Sequence, residues 1–160
     1  MLTMKYKEVV LVGATSDIGI SIINRINLTD GATVHLVGRR FPDKKIFKNS
    51  NLRLVFHKYD LGDIVEVANF LKDMNLFKKA ELVILATGFL PDENSEFDLV
   101  SLKETFEVNA ISSVMCLSGF SKVMNENHGG KILVCSSVAS IRPRSRNFTY
   151  GASKSAFKFS

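Results

Sequence analysis

The chain of 160 residues has two cysteines, three histidines and no tryptophan. Cys116 and Cys135 lie apart, without the CxxC spacing of a metal or redox motif, so both are expected to be buried structural thiols. His35, His57 and His128 lack HExxH-type spacing, which argues against a metal site. No apolar run approaches the roughly 18 to 20 residues that cross a bilayer. The opening MLTMKYKEVVLVGA runs into a glycine-bearing turn rather than a signal-peptide pattern, and the expectation is a cytoplasmic protein. Low-complexity tracts, internal repeats and an interdomain linker are also absent, so residues 1–160 read as one domain. The net charge of +5 comes from scattered Lys and Arg, with no aromatic-interleaved basic stripe to suggest nucleic acid.

What is present is 46% apolar and 23% charged residues, ordinary for a globular domain that buries one sizeable core. KEVVLVGA reads as a buried strand. Ile18, Ile22, Ile23, Ile26 and Leu28 then recur at a helical period, and Gly31 is expected to end that helix. ATVHLVGRR and NLRLVFHKYD are the next strands, VEVANFLKDMN a helix, and FKKAELVILATG contains a fourth strand. LPDENSEFDLVS reads as a loop before one long helix from Leu102 to Asn127. Asn127, Gly129 and Gly130 stop it ahead of a fifth, buried strand in KILVCSSVAS. A polar connection, SIRPRSRNFT, leads to a last helix in YGASKSAFKFS. Such βα alternation predicts an α/β fold: a doubly wound, Rossmann-like, three-layer parallel sheet. A helix that stops about three turns after it starts, beside a strand with an uncovered neighbour, predicts a domain truncated at its C-terminal end.

The run GATSDIG falls at the first strand-to-helix junction, where a tight turn and backbone N–H groups can receive a pyrophosphate. Within it Gly13 allows the turn, Thr15 and Ser16 offer hydroxyls to phosphate oxygens, Gly19 permits close helix packing, and Asp17 and Ile18 complete its candidate cofactor-binding residues. The carboxylate of Asp17 must point away from the phosphates. At the end of the second strand Gly38 stands where an NAD site often has an acidic residue. Arg39 and Arg40 follow it, able to meet a 2′-phosphate through charge-assisted hydrogen bonds. NADP(H) is therefore favoured as cofactor, with NAD(H) possible. Asp60 and Leu61 after the third strand are placed for an adenine edge, and the small residues Ala86, Thr87 and Gly88 after the fourth for the ribose and nicotinamide. Blander readings stay open: a solvated strand end for the arginines, a turn cap for Asp60.

Tyr150 and Lys154 stand one helical turn apart, and Ser137 lies thirteen residues upstream of Tyr150. A phenol titrates near 10 in water, and an adjacent ammonium with a positively charged nicotinamide eases its proton transfer. Tyr150 then exchanges a proton with a carbonyl or alcohol oxygen, Ser137 holds that oxygen, and Lys154 also holds the nicotinamide ribose. Asn109, in FEVNA, is placed to stabilise a helix distortion and position water behind Lys154.

With these residues in view, the chain resembles the N-terminal two-thirds of a short-chain dehydrogenase/reductase. GATSDIG is similar to the family's glycine motif, ATG to the motif after strand four, VNA to its Asn segment, and CSSVAS with YGASK to its catalytic pair. The resemblance implies that Asn109, Ser137, Tyr150 and Lys154 form a catalytic tetrad, and that a homodimer or homotetramer assembles through the helices around FEVNA and YGASK. Two departures stand out: Asp17 replaces the usual middle glycine, and Leu85-Ala86-Thr87-Gly88 replaces Asn-Asn-Ala-Gly. The leading expectation is an NADP(H)-dependent oxidoreductase acting on a small carbonyl or alcohol. A sugar epimerase or dehydratase that uses NAD(P) transiently, and a non-catalytic nucleotide-binding scaffold, are the alternatives.

Overall fold

The computed structural model describes residues 4–92, 98–127, 129–142 and 147–157. Apolar β-branched runs supply five strands: β1 (Tyr6–Val12), β2 (Leu28–Gly38), β3 (Arg53–Lys58), β4 (Leu82–Leu85) and β5 (Lys131–Val134). All pairings are parallel and the order is β3-β2-β1-β4-β5. Connections after β1 run to one side and then reverse, which leaves a crevice between the carboxyl ends of β1 and β4, where doubly wound sheets bind ligands.

The central strands are buried on both faces, so their side chains alternate between two cores. Val10, Val12, Val37, Val83 and Leu85 meet Phe70 of α2 (Ile64–Lys72), Phe77 of the following 3-10 turn, and Cys116 and Phe120 of α4 (Ser113–Glu126). Phe70, Phe77 and Phe120 contact one another with ring centroids 5.6 to 6.0 Å apart, within the range of favourable aromatic pairs. On the opposite face Val9, Leu11, Val34, Leu36 and Ile84 pack on Ile20 and Ile23 of α1 (Asp17–Ile23). Helices on both faces make the three layers expected from the sequence.

Several boundaries differ from expectation. α1 stops at Ile23, and Leu28, read as helical, begins β2. Gly31 is not a helix terminator: it lies within β2 at φ +69°, where the register jumps from Tyr6 opposite Leu28 to Glu8 opposite Thr33. That jump of two residues against five makes an outward arch, and a residue without Cβ takes the left-handed conformation there without strain. The helical period from Ile18 to Leu28 was mimicked by a short helix, a turn and a strand that bury apolar residues against the same core.

The single long helix expected from Leu102 is three elements. Asp98 caps α3 (Leu99–Phe106) through its carboxylate on the Ser101 N–H, three residues earlier than the sequence suggests. A π-helical turn over Glu107–Ser112 then leads into α4. Gly129, at φ +95°, donates its N–H to the Met124 carbonyl and closes α4 as the glycine signal implied. β5 is shorter than expected and only half-buried, with Leu133 43% exposed, because among the described residues it pairs with β4 alone. A 3-10 turn at Val138–Ser140 replaces its expected end. α5 (Phe148–Lys154) begins two residues before Tyr150, and a 3-10 turn at Ser155–Phe157 follows it. His128, residues 93–97 and 143–146 of the two polar connections, and the last three residues lie outside the described residues.

Candidate active site

A cleft of about 380 Å³ opens at the carboxyl ends of the strands. The β1–α1 turn forms its floor. Gly13 has φ +98°, and a Cβ there would stand 2.8 Å from the Ala86 carbonyl oxygen, so only glycine lets this turn cross the end of β4 so closely. Gly19 lies behind the turn rather than in the cleft, with space for a Cβ taken by the Leu11 side chain. Ser16 caps α1 by accepting the Gly19 N–H, which leaves its own hydroxyl proton available to an anion. Thr15 and Ile18 also line the cleft, the latter 64% exposed, not packed in the core as its helical spacing suggested. Asp17 is exposed and does not line the cleft. It sits in the first turn of α1, where the helix dipole favours a negative charge.

Beyond β2 and β3 the cleft is bounded by Arg39, Arg40, Asp60 and Leu61. Arg39 Nε lies 3.7 Å from Asp60 Oδ1, and the same carboxylate oxygen accepts the Gly62 N–H at 2.9 Å. This exposed pair adds little stability. Both side chains border the cleft, so the pair sets the guanidinium beside Asp60 at its rim.

The other half of the cleft is built by β4, the π-turn and α5. Ala86, Thr87 and Gly88 line it, together with Tyr150 and Lys154. Lys154 is 3% exposed, and its ammonium donates to the Thr87 carbonyl at 2.7 Å. Burial holds its pKa below that of an ordinary lysine, while the neighbouring Cys135 thiol works in the opposite direction. Its ammonium is 6.0 Å from the centre of the Tyr150 ring. The Thr87 hydroxyl bonds Ser113 Oγ at 2.9 Å, and Ser113 donates to the Val108 carbonyl in the π-turn. These hydroxyls fasten the end of β4 where the amide side chains of an Asn-Asn-Ala-Gly run are missing.

Asn109 is fully buried behind the cleft. Its Oδ1 accepts the Phe89 N–H at 2.7 Å and its Nδ2 donates to the Phe89 carbonyl at 2.8 Å, a two-pronged pairing with one residue's backbone. The second Nδ2 proton goes to Ser153 Oγ at 3.0 Å. The helix distortion anticipated at this asparagine is there, and the side chain is spent on Phe89 and Ser153. Ser137 does not line the cleft: its Oγ accepts the Ala139 N–H, and the adjacent Ser136 lines the wall instead. Cys135, expected to be a buried structural thiol, is half-buried in that wall; Cys116 is buried in the core. Tyr59, Val108 and Leu90 also line the cleft without having been singled out. Only their places beside Asp60, Asn109 and Gly88 could have signalled it.

The chain belongs to the short chain dehydrogenase family, whose model matches residues 7–159. It is 30% identical to the uncharacterized oxidoreductase YvrD of Bacillus subtilis (strain 168), over 97% of this chain and 60% of that protein. The chain thus spans well under two thirds of the length of this curated relative. Among solved structures, it resembles NADH-dependent reductase A1-R′ complexed with NAD at a TM-score of 0.76 and 17% identity, covering 94% of this chain and 67% of that one. It also resembles ElxO with NADPH bound, in a tyrosine-to-phenylalanine variant, at a TM-score of 0.72 and 19% identity, covering 96% and 64%. Likeness at these identities speaks to the fold.

Proposed function

We propose that the protein is an NADP(H)-dependent oxidoreductase that interconverts a small carbonyl compound and its alcohol, with Tyr150 as the proton donor and acceptor. The observation that carries this reading is one cleft that joins the Gly13 turn, the Arg39–Arg40 pair and the Tyr150–Lys154 turn. A bound nicotinamide dinucleotide supplies the hydride that a carbonyl carbon accepts, or receives it from an alcohol.

The residues present fit such a group. The Gly13 turn, held against the end of β4 as only glycine allows, would hold the pyrophosphate together with the hydroxyls of Thr15 and Ser16. Asp60 and Leu61 would border the adenine, and Arg39 and Arg40 would meet a 2′-phosphate. Relatives of this fold bind either NAD or NADPH by the names they carry, so the preference rests on these two side chains. Gly88 leaves the space beside the Lys154 ammonium to the ligand, where a Cβ would sit in van der Waals contact at 3.5 Å. Lys154 would hold the ribose hydroxyls.

During reduction Tyr150 gives its phenolic proton to the substrate oxygen; in oxidation it takes that proton back. The cationic Lys154, one turn away on α5, favours the charge this leaves on the phenol oxygen. Ser137, next to Ser136 of the wall though not itself lining the cleft, is assigned to hold the substrate oxygen, since accepting from Ala139 leaves its hydroxyl proton free to donate. Asn109 acts from behind by fixing Phe89 and the π-turn. The same proposal includes a cytoplasmic enzyme that forms a closed homo-oligomer through α4 and α5, on which Val114 and Phe148 are exposed.

Tyr150→Phe tests the assignment with the least change of shape. Oxidation of NADPH against a panel of aldehydes and ketones should fall at least about 100-fold, the scale of general acid catalysis, while NADPH affinity stays within a few-fold. A variant that keeps wild-type turnover of an identified substrate removes Tyr150 from the proton-transfer role. Net NADPH oxidation by the wild type also separates this reading from an epimerase, which returns the nucleotide unchanged.

A further inference from the structure

Between Tyr150 and Lys154 lies Ser153, a residue with no exposed surface and no contact with the cleft. Its hydroxyl donates to the Tyr150 carbonyl at 2.8 Å and accepts Asn109 Nδ2 at 3.0 Å. Both ends of this hydroxyl are therefore used. Asn109 in turn holds the N–H and the carbonyl of Phe89, and Lys154 holds the carbonyl of Thr87. The short stretch from Thr87 to Phe89 is thus tied to α5 at two points: directly by Lys154, and through Asn109 by Ser153.

We propose that Ser153 is a positioning residue, which locks the Asn109 amide in one orientation and so fixes helix α5, with Tyr150 and Lys154, against the Thr87–Phe89 backbone. The inference rests on the proposed role of Tyr150 and Lys154 for its functional meaning, and on hydrogen-bond geometry for its physical content. An amide with Oδ1 on an N–H and Nδ2 on a carbonyl has one proton left. In a buried site that proton must be accepted, or the amide loses its anchorage. Ser153 is the acceptor. A serine can fill the place because it accepts from Asn109 while spending its own proton one turn back on its own helix, a bond that needs no further partner.

An alanine at this position keeps the helix but leaves an Asn109 N–H without an acceptor. The amide then loosens its hold on Phe89, and α5 is tied to this backbone by Lys154 alone. Water reaches the Lys154 ammonium more easily, which relieves the burial that depresses its pKa. The titratable groups beside that ammonium are the Cys135 thiol and the Tyr150 phenol, and the substitution alters neither residue.

The test compares Ser153→Ala, Ser153→Cys and Ser153→Thr with the wild type. Cysteine keeps the volume with a poor acceptor, and threonine keeps the hydroxyl. Two readouts need neither cofactor nor substrate: hydrogen exchange at the Phe89 amide, and the titration of Lys154 followed by NMR of 13Cε-labelled lysine, assigned with Lys154→Arg. In Ser153→Ala and Ser153→Cys, Phe89 protection should fall about tenfold, as expected for one unsatisfied buried donor, and the Lys154 midpoint should rise toward that of an exposed lysine. Ser153→Thr should restore both. Variants that merely melt earlier, with Phe89 exchange and the Lys154 midpoint as in the wild type, overturn the proposal; so does a loss that Ser153→Thr repeats in full while folded. If Ser153→Ala does not fold, Ser153→Cys decides alone. NADPH binding by the wild type is measured beside these: its absence overturns the oxidoreductase reading, while the two NMR readouts still judge Ser153.

Discussion

Arg39 carries the sharpest claim at the scale of single residues. Its side chain is 61% exposed and its Nε stands 3.7 Å from Asp60, beyond hydrogen-bond reach, which leaves the guanidinium's donors for a 2′-phosphate. Arg39→Ala should weaken NADPH by about tenfold or more, the worth of one charge-assisted contact, and change NADH affinity little. Equal losses for the two nucleotides, measured by calorimetry, would remove the arginine from that role. Gly13 makes a different prediction, about stability. Gly13→Ala combines a left-handed φ with a Cβ 2.8 Å from the Ala86 carbonyl, and neither backbone segment yields easily. A loss of about 1–3 kcal/mol in urea unfolding is expected, together with weaker nucleotide binding. A variant as stable as the wild type would mean that the turn is less constrained than its geometry states. That Gly13, Arg39 and Arg40 border one cleft was legible in the sequence, because a glycine after an apolar strand marks a tight turn and residues after the neighbouring strand fall on the same carboxyl edge. Ser153 was not. A serine inside YGASK looks the same whether it faces water or an asparagine amide 44 positions away.

Elements were read well where one signal dominated. β3 and β4 fell inside their apolar runs, β1 began one residue ahead of its own, and Gly129 ended α4, because burial and left-handed glycine leave little choice. They were misread where two periodicities overlapped. The isoleucines from Ile18 onward continue the helical count past Ile23, yet the parallel pairing of Leu28 with Tyr6 claims the next residues for β2. Within the run 102–127 Asn109 alone signalled a helix distortion, while the π-turn that forms there has a tertiary cause: Asn109 reaches Phe89, and Ser113 reaches the Val108 carbonyl. β2 and β3 also carry a feature outside the cleft lining. His35 donates from Nε2 to the Glu8 carboxylate at 3.2 Å, so its Nδ1 accepts the His57 Nε2 proton at 2.9 Å when both rings are neutral. Burial, and next the neighbouring His35, hold the His57 pKa below 6.5, with Asp73 working in the opposite direction. The unfolded chain therefore takes up this proton near pH 6.5, while the folded chain resists until lower pH. Stability contributed here is complete above pH 6.5, falls as the pH drops below it, and levels off once the folded ring is protonated. Urea midpoints between about pH 5 and 8 should show this slope, and His57→Phe should flatten it. A slope unchanged by the substitution would place the titration elsewhere.

For the molecule as a whole, a strand order of β3-β2-β1-β4-β5 brings residues from opposite ends of the chain to one crevice. Gly13 and Tyr150, 137 positions apart, line the same cleft because reversal of the winding at β1 sets the first turn beside the end of β4, on which α5 closes. This explains why the sequence could point to the site by motif and fold class together, each weak alone. Substrate recognition has no such signature. The cleft wall offers Cys135, Ser136, Val108 and Leu90, a mixture of small polar and apolar groups compatible with many carbonyl compounds. The central claim is that a nicotinamide dinucleotide occupies this cleft with its ribose on Lys154. Calorimetric titration of the folded protein and of Lys154→Met with NADPH and with NADH tests it most directly. The account predicts binding of NADPH in preference to NADH, weakened at least about tenfold in Lys154→Met by loss of a charged hydrogen-bond donor. No heat from either nucleotide with the folded wild type, or equal binding with and without the ammonium, would contradict it.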